Sequence, residues 1–370
     1  MVTPVIRSSL TKQGYRVVGS HSGVKLCRWT KSMVRNRGGC YKHTFYGIQS
    51  HNCMEATPSL ACANKCIFCW RHHANPVGTK WTWNMDDPQF VVDNLIIQHK
   101  QMIKIMKGIQ GANPERLAEA QTIQHCALSL VGEPIMYPRI NEVIDILHEK
   151  NISTFLVTNA QFPLCIQNLV PVTQLYVSID ASTPETLKKI DRPLFADFWE
   201  RLLQSIDFLK QKRQRTVYRL TLVKNYNNTN VCEYSKLIER GEPSFVEIKA
   251  VTYCGQDESS EVRIHHTPYH YEVVEFSKKL LSYISDYDIA CEHEHSNSVL
   301  LAHKKFYFND TWNTWINYKK FSELYQKWKE SDRTYEFTEI DYSAPTPGWA
   351  LHGSNEKGFD PTESRFVKHR

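Results

Sequence analysis

Between residues 89 and 255 two kinds of apolar pattern take turns, and this rhythm limits the fold of the chain more than any other feature. "FVVDNLIIQHKQMIKIM" (90–106) and "INEVIDILHEK" (140–150) repeat their apolar residues at helical spacing. "FPLCIQNLV", "PETLKKI", "FWERLLQSIDFLKQK" and "VCEYSKLIER" read as further helices. Between them lie short runs of strand character: "HCALSLVGEP" (125–134), "ISTFLVTN" (152–159), "QLYVSIDA" (174–181), "TVYRLTLV" (216–223) and "FVEIKAV" (245–251). Strands alternating with helices build βαβ units and a parallel sheet. The near-continuous apolar strands suit a sheet covered by helices on its outer face. A further strand at "NCMEATPSL" brings the count to six βα units over residues 50–255. The expected fold class is α/β, a partial (β/α)6 TIM-like barrel with N-terminal and C-terminal extensions at 1–49 and 256–370. In the second extension a helix at 271–285 and a strand pair near 289–306 are expected, then an irregular tail rich in Trp, Tyr, Asp and Gly.

At 370 residues, 41% of them apolar, the chain has enough material for a large core, and general disorder is excluded. No apolar run approaches the roughly 20 residues that span a bilayer, and "MVTPVIRSSLTKQGYR" holds no secretory h-region. The expectation is a cytoplasmic protein with no membrane partner. In that compartment eleven cysteines point to metal ligands, catalytic groups or buried packing and not to a disulfide framework. The sequons at Asn151, Asn227 and Asn309 carry little meaning there.

"CANKCIFCW" sets Cys62, Cys66 and Cys69 on a loop after the first strand of the βα series. Zinc takes four tetrahedral ligands, so three thiols serve it poorly. A [4Fe–4S] cube takes one thiolate per iron; three thiolates leave one iron open to chelate the amino and carboxylate groups of a methionine derivative. The Cys-x3-Cys-x2-Cys spacing, with Phe68 before the last cysteine, is the radical SAM signature: an electron passed into S-adenosylmethionine yields methionine and a 5′-deoxyadenosyl radical. In such a barrel the cofactor lies across the carboxyl ends of the strands. Gly132, Glu133 and Pro134 after the second strand, Thr158 and Asn159 after the third, and Ser178 and Asp180 after the fourth are the expected S-adenosylmethionine contacts. Each could also be an ordinary turn or cap residue.

Charge adds a partner. Net charge is +6, and the first 54 residues hold nine Lys or Arg and no Asp or Glu. Arg28, Lys31, Arg35 and Arg37, interleaved with Trp29, Tyr41 and Tyr46, suit a phosphate backbone and unstacked bases. Cys27, Cys40 and Cys53 stand in this region, thirteen residues apart; taken alone they are equally well read as buried free thiols.

"SHSGVKLCRWTKSMVRNRGGCYKHTFYGI", "CMEATPSLACANKCIFCWRHHANPVGTKW", "LVGEPIMYP", "FLVTNA", "YVSIDA", "YRLTLVK" and "FVEIKAVTYCG" together resemble the tRNA 4-demethylwyosine synthase family, in its eukaryotic form, from about residue 14 to "GFDPTESR". The resemblance implies that Cys62, Cys66 and Cys69 hold the SAM-binding cluster and that Cys27, Cys40 and Cys53 hold a second, auxiliary [4Fe–4S] cluster. It implies that Lys42 is the catalytic lysine, forming a Schiff base with pyruvate. The substrates it implies are S-adenosylmethionine, pyruvate and tRNA(Phe) bearing N1-methylguanosine beside the anticodon; pyruvate and the methylated guanine would be joined into the tricyclic base in an early step of wybutosine biosynthesis. The radical would take a hydrogen from the N1-methyl group, the carbon radical so formed would attack C2 of pyruvate, the C1 carboxyl unit would be lost, and condensation with the guanine exocyclic amine would close the ring. An anticodon loop makes unstacking of the target base cheap.

Several alternatives stay open. Lys42 in a basic arm could be a phosphate contact, and the open iron of the second cluster could hold pyruvate instead. Trp70, Arg71, His72 and His73 either line the substrate pocket or pack over the cluster. Cys126, Cys165, Cys232, Cys254 and Cys291 are expected to be buried or incidental. Eukaryotic members of the family carry an amino-terminal flavodoxin-like domain, which the residues before 14 cannot form; this implies a separate electron donor, flavodoxin-like or a flavin reductase, or a chain that is a fragment. The rival readings are a radical SAM enzyme with a non-tRNA substrate and a non-catalytic iron–sulfur or zinc protein that binds RNA.

Overall fold

The structure, a computed structural model, describes residues 1–69, 75–253 and 261–365. Helix α1 (Pro4–Lys12) precedes a hairpin of β1 (Tyr15–Val18) and β2 (Ser22–Lys25), then α2 (Arg28–Met33) and α3 (Tyr41–Tyr46). Six parallel strands follow: β3 (Cys53–Thr57), β4 (His125–Leu128), β5 (Ser153–Thr158), β6 (Gln174–Ser178), β7 (Arg215–Leu222) and β8 (Phe245–Ala250). They are connected through α4 (Pro88–Ile105), α5 (Pro114–Glu119), α6 (Ile140–Glu149), α7 (Pro163–Gln167), α8 (Pro184–Asp191), α9 (Phe198–Lys210) and α10 (Val231–Gly241). After α11 (His270–Leu281) come β9 (Tyr287–His293), β10 (Ser298–His303) and α12 (Tyr318–Glu330).

Sheet order is β1-β2-β3-β4-β5-β6-β7-β8-β10-β9, with antiparallel pairing at both flanks of the parallel six. Both extensions therefore add strands to the sheet as well as packing on it. A 13-residue helix, α12, stands where composition suggested an irregular tail. Its apolar residues Phe321, Leu324 and Tyr325 recur at helical spacing and are buried, a period that a tail rich in Trp and Tyr conceals.

The local signals are ordinary. Asp87 caps α4 by accepting from the Gln89 and Phe90 N–H groups, with Pro88 at the first helical position. Outward strand residues such as Leu128, Leu156, Val177, Leu220 and Ile248 join the helices in the main core. Inward residues Phe155, Tyr176, Val217 and Phe245 form a second core with Phe45 and Tyr46 of α3 and with Phe321 of α12. That second core closes the barrel at the end where its strands begin. Arg215, fully buried there, bonds Gln174 Oε1 (3.1 Å), Ser343 Oγ (3.0 Å) and the Trp315 carbonyl (3.3 Å), tying the C-terminal segment across the base. Among the described residues no helix is long and apolar enough to cross a membrane.

Candidate active site between two thiol triplets

Beyond β3 the chain turns through Ser59 and Leu60 into the loop that holds Cys62, Cys66 and Cys69. The turn after β4 clamps it. Gly132 has φ +73°, and a Cβ there would lie 2.0 Å from the Ser59 carbonyl oxygen, so only glycine fits. Glu133 N–H donates to the Ala61 carbonyl at 2.7 Å. Gly132 thus makes a close approach to the cysteine loop itself. On its other side the loop lies against the end of α8: Lys65 N–H bonds the Asp191 carbonyl and Ile67 N–H the Ile190 carbonyl, both at 2.9 Å.

Cys62 Sγ accepts from Asn64 N–H (3.4 Å) and from Asn159 Nδ2 (3.5 Å). Burial, then Asp191, Cys69 and Cys62, push the Cys66 thiol well up. Burial and Asp180 push Asp191 up as well. The site gathers thiols and acids that repel one another when ionised, a donor set suited to a positively charged group. Among the described residues no three Cys, His, Asp or Glu side chains converge on a single ion. A cube is ligated at separate corners, one thiolate per iron, so spread thiols with N–H groups on sulfur fit a cluster better than a lone metal.

The expected cofactor contacts divide. Glu133 is buried; Oε2 accepts from Asn159 N–H (2.9 Å), while Oε1 has no partner among the described residues. Burial raises this carboxyl to about 7. Asp180 takes the Thr221 N–H at 3.1 Å, and burial raises it to about 6. Glu133, Asn159, Ser178 and Asp180 therefore stand around the carboxyl ends of the strands with the cysteine loop. Pro134 is buried in the turn that follows. Thr158 is fully buried and its hydroxyl accepts from Ala160 N–H (3.2 Å), so it shapes the strand end from behind.

The second triplet lies at the opposite end of β3. Cys27 precedes α2, Cys40 precedes α3, and Cys53 opens β3. Burial, then Glu55 and Cys40, with Cys53 adding, push the Cys27 thiol well up. Burial and Cys40 raise Cys53 while Lys42 opposes them. Ser50 Oγ donates to Cys40 Sγ at 3.3 Å. Three thiols spread over 27 residues of the chain thus share one electrostatic environment.

Lys42 is half-buried and points into the barrel, its Nζ 4.9 Å over the Tyr176 ring and 5.9 Å from the Phe155 ring centroid. Burial raises Glu55 and Glu247, and in both Lys42 is the first opposing charge. Tyr46 OH donates to Glu247 Oε1 at 2.7 Å. This lumenal position gives the phosphate-contact alternative no support. Sequence reasoning missed Glu55, Arg219 and Glu247. The signal was available for two of them: a charged residue interrupts each apolar strand in "TVYRLTLV" and "FVEIKAV" at an inward position.

Arg28 and Lys31 are exposed on α2, with the Arg28 guanidinium 4.9 Å over the Trp29 ring; Arg35 and Arg37 are half-buried in the following turn. All four lie beside the second triplet, at the end where the strands begin. Cys126 and Cys291 are buried, and Cys165 and Cys232 exposed. Trp70, Arg71, His72, His73 and Cys254 lie outside the described residues.

With this geometry in hand, comparison with known proteins is specific. Residues 57–238 match the radical SAM superfamily and residues 240–303 match the wyosine base formation family. An S-adenosyl-L-methionine-dependent tRNA 4-demethylwyosine synthase of Xenopus laevis is 60% identical over 368 residues, covering 100% of this chain and 50% of that protein. The chain spans about half the length of the curated relatives it matches. Among solved structures, one described as TYW1 with a lysine-pyruvate adduct bound superposes with TM-score 0.74 at 32% identity, covering 82% of this chain and 97% of that one. An archaeal TYW1 crystal structure gives TM-score 0.67 at 29% identity, covering 82% and 98%.

Proposed function

Since the chain belongs to the tRNA 4-demethylwyosine synthase family, we propose that it condenses pyruvate with N1-methylguanosine beside the anticodon of tRNA(Phe), closing the tricyclic 4-demethylwyosine base. Cys62, Cys66 and Cys69 would hold the SAM-binding [4Fe–4S] cluster, and Cys27, Cys40 and Cys53 an auxiliary one. When bound, the first cluster with S-adenosylmethionine supplies a 5′-deoxyadenosyl radical. Glu133, Asn159, Ser178 and Asp180 line that cofactor's place, and Gly132 and Pro134 hold the turn that presents Glu133.

One observation carries the reading: Lys42 Nζ stands inside the barrel, over Tyr176, in the electrostatic surroundings of Cys53. Its neutral amine adds to C2 of pyruvate, water leaves, and a C=N bond joins Nζ to the former keto carbon. The faces of Tyr176 and Phe155 shield that bond from water on one side. Glu55 and Glu247 face Lys42 in the lumen. A related protein described as carrying a lysine-pyruvate adduct supports this role. Exposed Arg28 and Lys31, with Arg35 and Arg37, supply phosphate contacts for the tRNA. A flavodoxin-like or flavin-reductase protein of the cytoplasm supplies the electrons.

Anaerobic turnover with methylguanosine-bearing tRNA, S-adenosylmethionine and pyruvate, followed by nucleoside mass spectrometry, tests the assignment. Wild type should yield the tricyclic base, and borohydride should fix one lactyl-sized adduct on Lys42. Lys42→Arg should cleave S-adenosylmethionine and bind tRNA yet form no tricyclic base. Turnover of Lys42→Arg within tenfold of wild type, a loss of no more than about 1.4 kcal/mol in transition-state stabilisation, would exclude the imine.

A further inference from the structure

Arg219 is a cation inside the barrel to which the chemistry above gives no task. In the parallel register it pairs with Ser178 on β6 and Glu247 on β8, so the three residues form one inward row. It is half-buried, and its Nε is buried without a hydrogen-bond partner among the described residues. Glu247 Oε2 is buried and unpartnered too, and among the described residues no ion pair joins it to Arg219. The charged and titratable groups facing Arg219 are Glu247, Glu55, Asp180, Tyr41 and Tyr176, drawn from three strands, the turn after β6 and α3. A guanidinium held among these groups, with a buried N–H left unbonded, is costly unless a ligand completes it.

The next inward row toward the strand starts holds Tyr176 and Val217, and Lys42 Nζ lies over the Tyr176 ring. One row is two residues along a strand, roughly 6.6 Å. An imine nitrogen, the former keto carbon, the carboxyl carbon, one carboxylate oxygen and a charge-assisted hydrogen bond of about 2.8 Å together span about that step. Guanidinium N–H groups form a fork that matches a carboxylate in two parallel bonds, which an ammonium cannot do.

Resting on the lysine reading above, the geometry points to Arg219 as the residue that binds the carboxylate of the 2-oxo acid condensed on Lys42. It thereby selects a 2-oxo acid over a ketone of similar size that lacks the acid group. The row is built from three strands, so the selecting group is held by the barrel and not by a loop.

The test uses the full chain, reconstituted anaerobically, with borohydride trapping read by intact-protein mass. Pyruvate and hydroxyacetone, a ketone without a carboxylate, are titrated against wild type, Arg219→Gln and Arg219→Lys. Wild type should reach half-maximal trapping at a lower concentration of pyruvate than of hydroxyacetone. Arg219→Gln should raise the pyruvate concentration needed by tenfold or more and leave that for hydroxyacetone within about twofold, which also shows that the variant is folded. Arg219→Lys, a cation without the fork, should fall between. If Arg219→Gln leaves both curves in place, or moves both equally, Arg219 is structural and the proposal is wrong while Lys42 keeps its role. If wild type forms no adduct with either carbonyl compound, the lysine reading falls and this proposal with it.

Discussion

The two cysteine triplets stand at opposite ends of one strand and are built in opposite ways. Cys62, Cys66 and Cys69 belong to a single loop, braced by the Gly132 turn on one side and the end of α8 on the other. Cys27, Cys40 and Cys53 come from three separate turns, two of them ahead of short helices and one opening β3. The first is local in sequence and needs its neighbours only to hold it still. The second does not exist until the hairpin, α2, α3 and β3 have docked. A site made by one loop tolerates change elsewhere; a site made by docking fails when any partner moves.

The strongest break of this comparison is removal of each triplet. Wild type should bind about eight irons as two cubes, and replacing either set by Ala should leave about four. Loss of Cys62, Cys66 and Cys69 should abolish cleavage of S-adenosylmethionine. Loss of Cys27, Cys40 and Cys53 should spare it while ending formation of the tricyclic base. Full iron content in the second variant would make those thiols packing residues.

Gly132→Ala probes the brace of the first triplet alone. Its positive φ and the Ser59 contact should cost about 2–4 kcal/mol together. The urea midpoint should fall, and iron should be lost from the first site with the second retained. Equal loss from both sites would show that the two ends are mechanically coupled.

Asp360 probes the other end. It accepts from His43 Nε2 of α3 at 2.9 Å, and its side chain is 14% exposed. Burial raises its carboxyl, but hydrogen bonds from His43 and Thr362 overcome this and hold it at about 2. A depressed carboxyl stabilises the fold above its unfolded value near 3.9 and loses that contribution as pH falls through about 2. Asp360→Asn should therefore lower stability by on the order of 2 kcal/mol at pH 7. The gap from wild type should close between pH 4 and 2 in urea titrations; a gap that does not change with pH would assign the effect to packing.

The smallest effect is expected at Arg35 and Arg37, beside the second triplet. Neutralising both should flatten the log–log salt dependence of tRNA binding by up to about one unit for each phosphate no longer neutralised. An unchanged slope would assign both residues to surface that the tRNA does not touch.

Much of this molecule is local and could be read from the sequence. The βα rhythm gave all six parallel strands because buried strands and amphipathic helices carry their periods in a few consecutive residues. The first thiol triplet was legible for the same reason. The resemblance supplied the second triplet and Lys42, which spacing alone left open. At Thr158 the sequence left a cofactor contact and an ordinary strand-end residue open, because a hydroxyl at a strand end looks the same whether it faces in or backs the turn. Only the tertiary structure decided that Lys42 of a basic segment points into the barrel, that Gly132 serves the cysteine loop, and that Ser178, Arg219 and Glu247 share one row. Those facts depend on which strands become neighbours and in what register. Packing of the elements against one another sets that register, through contacts between residues tens to hundreds of positions apart that leave no period in the chain.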